Sequence, residues 1–165
     1  YQPVLKSNKF EFILQKGTEL GVNNFVPIFC DRSIKRWDAG QILTKKYPRW
    51  KKIITEASEQ CERAIIPQLN EPINFTEAIT YPNKNMIRFI ALTGKEAPKL
   101  KEISHSNLDM EIGLFTGPEG GFTKEEIELS QVNGVKPISL GNRILRAETA
   151  TIILITAILI EFGEM

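Results

Sequence analysis

The strands of this chain read as short, largely continuous apolar runs rather than alternating ones. Met86 to Leu92, Ile112 to Thr116 and Pro137 to Leu140 are the clearest, and helical segments separate them. A strand that is apolar on both faces must be covered on both, which a parallel sheet with crossover helices supplies. The pattern predicts an α/β fold, a mostly parallel sheet with helices on both faces. At 165 residues the chain fits one domain, 1–165, with room for a substantial core.

The helix signals are local. Ser7 or Asn8 can cap a helix through Phe10, Ile13, Leu14 and Leu20 that stops at Gly21. Phe25 to Phe29 reads as one strand, with Pro27 where no donor is needed. A long helix is expected from Lys45 or Pro48 to Ala64, because Trp50, Ile53, Ile54, Ala57 and Cys61 recur at helical spacing and Pro67 forbids continuation. Short helices are expected at Thr76–Ile79 and Ala97–Ile103. Thr123 and Glu126 form a capping box, and Asn133-Gly134 ends the helix they start. The closing helix, Glu148 to Phe162, carries an unbroken Ile152-Ile153-Leu154-Ile155 run that fits a helix buried all round.

Composition excludes several chemistries. His105 is the single histidine and the two cysteines, Cys30 and Cys61, form no CxxC pattern. No metal site and no Ser-His-Asp or Cys-His catalysis is expected; the thiols read as reduced core groups of a cytoplasmic protein. The longest apolar run, Ala150 to Ile160, is too short to span a bilayer. The net charge of +1 hides a basic stretch, Arg32, Lys35, Arg36, Lys45, Lys46, Arg49, Lys51 and Lys52 against Asp38 alone. It is either a solvated helix face or a phosphate-neutralising patch, with Trp37, Tyr47 and Trp50 available for base stacking or for the core.

Two glycine-bearing turns follow the last two strands, Gly117-Pro118-Glu119-Gly120-Gly121-Phe122 and Leu140 to Ala150. Glycine lets a backbone approach a ligand closely. Turns at the carboxyl ends of neighbouring parallel strands make a ligand pocket. Neither GxxxxGK[ST] nor GxGxxG is present, and Glu119 within the first turn would repel a phosphate while suiting a cationic ligand.

With Lys16-Gly17-Thr18-Glu19-Leu20-Gly21-Val22 and Glu56 to Arg63, these turns make four ordered motifs. Together they resemble the ribosomal RNA small subunit methyltransferase E family, of the SPOUT class, over nearly the whole chain. The resemblance implies a C-terminal trefoil knot, a homodimer, S-adenosylmethionine as methyl donor, and methylation of uridine N3 in 16S rRNA of the 30S subunit. It implies no metal and no membrane. Family members also carry an N-terminal PUA-like β-barrel that helps hold RNA. Here Tyr1-Gln2-Pro3-Val4-Leu5 reads as the end of a strand, so the chain is expected to be cut from something longer.

The resemblance assigns cofactor contacts to Leu92, Thr93, Gly94, Gly117, Glu119, Gly120, Leu140, Gly141, Ile144, Leu145, Arg146, Thr149 and Ala150. Arg146 is the expected catalytic group, stabilising the uracil anion as N3 loses its proton; its other reading is an ion pair with Glu119 or Glu148. Glu119 is either the base for that proton or an orienting group. Lys16, Glu19, Arg32, Gln60 and Arg63 are expected on the RNA side, Lys16 and Arg32 as phosphate contacts or ordinary surface cations. A tRNA methyltransferase and a non-catalytic RNA-binding module are the alternatives. The motifs before Pro67 argue against the first, and retention of a cofactor pocket argues against the second.

Overall fold

A computed structural model describes residues 1–6, 8–33, 39–81, 85–93, 97–99 and 110–165. Ser7, Lys35, Arg36, Trp37, Asp38, Gly94 and His105 lie outside the described residues, as does the expected helix beyond Lys99. Eight strands and six helices are described. They are β1 (Gln2–Pro3), α1 (Lys9–Glu19), β2 (Asn24–Phe25), β3 (Pro27–Phe29), α2 (Ala39–Lys45), α3 (Tyr47–Gln60), β4 (Gln68–Leu69), β5 (Ile73–Asn74), α4 (Phe75–Thr80), β6 (Met86–Leu92), β7 (Glu111–Phe115), α5 (Lys124–Val132), β8 (Lys136–Ser139) and α6 (Ala147–Glu161).

All strand pairings are parallel, as the apolar runs predict. One sheet has the order β1-β3-β5 and another β7-β6-β8, with β2 and β4 paired separately. Tyr1 joins the two larger sheets. Its nitrogen donates to the Leu114 carbonyl at 2.8 Å, and its carbonyl accepts from Thr116 N–H at 3.3 Å. Phe89 and Ile90, adjacent on β6, are both fully buried because they point to opposite faces. Phe89 packs with Ile138 and with Leu154 and Ile158 of α6, while Ile90 packs with Phe75, Ile79 and Phe115. Each such side chain contributes about 1.5–3 kcal/mol of burial. The two-sided cover is therefore real.

Local signals held where the partner lies nearby in sequence. Thr123 Oγ1 accepts from Glu126 N–H and Glu126 Oε2 accepts from Thr123 N–H, the expected capping box. Asn133 is the C-cap of α5, followed by Gly134 at φ 76°.

Other expectations are corrected. Phe25–Phe29 is not one strand; it splits at Val26, whose carbonyl accepts from Gln2 N–H, so that β2 and β3 join different sheets. The long helix starts as expected, as α3 from Tyr47, with Pro48 in its first turn, where its missing N–H costs nothing; a separate short helix, α2, precedes it. The long helix ends at Gln60 rather than Ala64, since Glu62 takes a positive φ of 57°. Residues 97–99 begin no helix: the Pro98 carbonyl accepts from Ser139 N–H and Lys99 bridges in parallel to Ser139, on the edge of β8. Finally, α6 is not buried all round. Ala147, Thr151, Leu154, Ile155 and Ile158 face the core, but Ile153 is 40% and Ile160 59% exposed.

The basic stretch resolves on its described part. Trp50 is buried against Phe10, ring centroids 4.3 Å apart, and the Tyr47 hydroxyl donates to the Leu69 carbonyl. Both aromatics serve the core. Lys45, Arg49, Lys51 and Lys52 lie exposed on α2 and α3, with Arg49 forked onto Glu11 and Lys52 beside Glu56. Cys30 is buried and its thiol is pushed well up by that burial; Cys61 is half-buried, and both are free.

Candidate functional site

In the sheet order β7-β6-β8 the chain goes from β6 to β7 on one side and then to β8 on the other. That reversal opens a crevice at the carboxyl ends of the strands, where open α/β sheets take ligands. A cavity of about 710 Å³ lies there, walled by the ends of β6 and by both glycine turns. Leu92, Thr93, Gly117, Glu119, Gly120, Leu140, Gly141, Ile144, Leu145, Arg146 and Ala150 all line it, as expected. Thr149 does not; it is exposed on α6, off the helix face that carries Ala147 and Ala150 to the cavity.

The first turn is closed by Gly121 N–H donating to the Pro118 carbonyl at 2.8 Å, with Gly121 at φ 68°. Gly117 sits so close to Gly121 Cα and the Phe122 ring that an added Cβ would lie 3.4 Å from each. Arg32 clamps this turn from outside. Its Nη1 donates to the Gly120 carbonyl at 3.0 Å and to the Phe122 carbonyl at 3.4 Å. In the second turn, Gly141 takes φ 106° and its N–H donates to Ser139 Oγ at 3.2 Å.

Beneath the turns a buried polar cluster ties three distant elements together. Thr116 Oγ1 lies 2.6 Å and Thr151 Oγ1 2.8 Å from Gln2 Oε1, and Thr151 also donates towards the Ala147 carbonyl at 2.9 Å. Satisfied groups of this kind fix geometry, because leaving one unpaired is costly. They hold β1, the end of β7 and the first turns of α6 in one arrangement.

The charges around the cavity differ from the ion-pair reading of Arg146. Glu119 and Glu148 are engaged not by Arg146 but by Lys9, the first residue of α1. Its Nζ lies 3.2 Å from Glu148 Oε2 and 3.9 Å from Glu119 Oε1. Lys6 N–H also donates to Glu119 Oε1 at 3.2 Å. Burial disfavours the charged form of Glu148, but its own backbone amide, Lys9 and Arg146 outweigh that and hold its carboxyl below the ordinary range. Among the described residues, the side chains of Arg143 and Arg146 make no hydrogen bond or ion pair, and both line the cavity. Lys9 was not legible as a site residue. The available hint was a lysine opening a helix, against the macrodipole.

The residues expected on the RNA side separate. Arg63 Nη1 donates to the Thr18 and Val22 carbonyls and its Nη2 to Asn23 Oδ1, closing the end of α1. Lys16 pairs with Glu19 at 2.8 Å. Glu19 and Gln60 line a second groove, about 360 Å³, between α1 and α3. Arg32 and Arg63 thus have structural partners that sequence spacing does not reveal. Among the described residues there is no group of three or more His, Cys, Asp or Glu able to hold a metal, and no helix is long and apolar enough to cross a membrane.

A parallel sheet with a glycine-walled crevice at its reversal point defines a ligand-binding α/β domain, and a family model makes the class specific. Residues 1–159 match the RNA methyltransferase domain, so the chain belongs to that family. Among its relatives, the protein named ribosomal RNA small subunit methyltransferase E of Bacillus subtilis is 37% identical over 163 residues, 93% of this chain and 61% of that one. The Synechocystis protein of the same name is 37% identical over 147 residues, covering 88% of this chain and 47% of its own. Among solved structures, ribosomal RNA small subunit methyltransferase E of Neisseria gonorrhoeae bound to S-adenosyl methionine superposes with a TM-score of 0.86 at 32% identity, covering 97% of this chain and 64% of that one. A Legionella pneumophila protein in complex with the cofactor SAM gives 0.88 at 32% identity, with the same coverage. The chain spans about half to two thirds of the length of the relatives it matches.

Proposed function

We propose that this chain is the catalytic domain of an S-adenosylmethionine-dependent methyltransferase that modifies uridine N3 in small-subunit ribosomal RNA. The observation that carries the reading is the cavity at the ends of β6, β7 and β8, where eleven of the expected cofactor residues converge. Its walls suit the ligand. Backbone at Gly117, Gly120 and Gly141 and aliphatic Leu92, Leu140 and Leu145 accept an adenine, while Glu119 at the rim disfavours phosphates and suits a cation. Two solved structures that match 97% of this chain hold that cofactor.

When bound, S-adenosylmethionine supplies an electrophilic methyl group that needs no further activation. The chain's tasks are to align the target nitrogen and to stabilise the anion as N3 loses its proton. Arg146 fits the second task, being permanently charged, at the cavity and, among the described residues, without a side-chain hydrogen bond or ion pair. Glu119, held by Lys6 N–H and Lys9, fits orientation of the turn rather than proton abstraction. Arg143, exposed beside Arg146 and without an ion pair among the described residues, adds a second cation for the RNA backbone.

The reading extends to a C-terminal trefoil knot, supported by superposition on methyltransferase structures. It also extends to a homodimer, supported by the apolar face of α6 at Ile153 and Ile160. Bacterial relatives that act on ribosomal RNA by name, together with the absence of a spanning helix among the described residues, support the cytoplasm. Calorimetric titration with S-adenosylmethionine, followed by transfer of labelled methyl to 30S subunits and to tRNA by the full-length protein, tests it. Absence of heat sinks the cofactor site; methylation of tRNA alone sinks the substrate.

A further inference from the structure

Lys9 opens α1, where its charge opposes the helix macrodipole, and the acid of that first turn, Glu11, is held by Arg49 of α3. Its ammonium reaches instead to Glu148 Oε2 at 3.2 Å and Glu119 Oε1 at 3.9 Å. The Glu148 side chain is only 17% exposed, and its Oε2 is shielded from solvent with no hydrogen bond of good geometry. Glu119 lines the cavity from the first glycine-bearing turn, as Lys9 does, while Glu148 lies on α6 between the wall residues Ala147 and Ala150. We propose that Lys9 is a positioning residue for the cofactor site: it stands between Glu119 and Glu148 and holds the two turns at the spacing that shapes the cavity. The inference rests on reading that cavity as the S-adenosylmethionine site.

The physical reason is charge. Without Lys9, a shielded carboxylate at the start of α6 and a second one on the facing turn are left without their shared cation. Breaking a shielded pair from one side is costly, because the remaining charge cannot rehydrate. The charged groups facing Glu148 are Lys9 from α1, Glu119 from the first turn and Arg146 from its own. Arg146 is drawn towards the vacated position, which takes it from the substrate side. Lys9 so placed leaves the arginine free.

The test is binding of S-adenosylmethionine, by calorimetry at pH 8 and pH 5, to the full chain and to Lys9→Met, Lys9→Arg and Lys9→Met/Glu148→Gln. Taking each variant against wild type at the same pH cancels titration of the ligand. Lys9→Met should bind about tenfold more weakly at pH 8. At pH 5 the deficit should shrink, because without the Lys9 charge the shielded Glu148 carboxyl takes up a proton more readily than in the wild type. Lys9→Arg should restore most of the affinity, and the double variant should outperform the single one at pH 8. Wild-type affinity in Lys9→Met, a deficit equal at both pH values, or failure of arginine to rescue would overturn the proposal. Should Lys9→Met not fold, the double and arginine variants carry the same comparison. If the wild type binds no cofactor, the functional reading fails separately. Ligand-free melting then still decides the role of Lys9, equal melting temperatures for wild type and Lys9→Met overturning it.

Discussion

Replacing Arg146 with Ala separates a catalytic guanidinium from a structural one. Arg146 is the N-cap of α6 through its backbone alone, at φ −65° and ψ 150°, with no side-chain cap hydrogen bond. Alanine adopts that conformation freely, and no ion pair or hydrogen bond is lost among the described residues. Folding should therefore change by less than about 0.5 kcal/mol, which for a chain this size is a melting shift of about 1–2 °C. Cofactor affinity should also stay close to wild type, since the cavity walls are mostly backbone and aliphatic. Turnover is different. Losing a preorganised donor to a developing anion costs roughly 2.7–4 kcal/mol, a 10²–10³-fold fall in kcat. Lysine keeps the charge but not the planar fork and should fall between the two. The assay is single-turnover methyl transfer to 30S subunits at saturating cofactor, alongside calorimetry and thermal melting of the same preparations. Turnover within threefold of wild type would refute the role of Arg146. So would a loss of turnover that merely tracks the folded fraction.

Three further outcomes follow from the same geometry. Gly121→Ala forces a Cβ into φ 68° and should cost about 1–2 kcal/mol, seen as a lower melting temperature together with weaker cofactor binding. Glu126→Ala removes both the capping-box acceptor and the partner of Asp31 N–H, 2.9 Å from Glu126 Oε1. It should cost about 1–2 kcal/mol, read by urea unfolding. Glu148 titrates lower in the folded chain than when unfolded, so its contribution is full above the ordinary carboxylate pKa and is lost as pH falls through the folded value. The melting temperature should therefore drop more steeply below pH 5 in wild type than in Glu148→Gln.

Features that rest on neighbours along the chain were legible before any fold was known. Apolar strands told of a parallel, doubly covered sheet because period and composition are local. The Thr123–Glu126 box and the Asn133-Gly134 stop were legible because capping acts within one turn of helix. The glycine turns could be read as a pocket because their conformational freedom belongs to the residues themselves. Which polar and charged groups meet depended on the fold. The Arg32 guanidinium donates to the Gly120 carbonyl across 88 residues, and the Lys6 backbone N–H to Glu119 across 113. Lys9 takes the carboxylates that the alternative reading gave to Arg146. Side-chain pairing depends on where the sheet carries two loops, not on any spacing along the chain. For that reason the cavity was foreseeable from residues 117–150, while the group that leaves Arg146 free lay unread at residue 9.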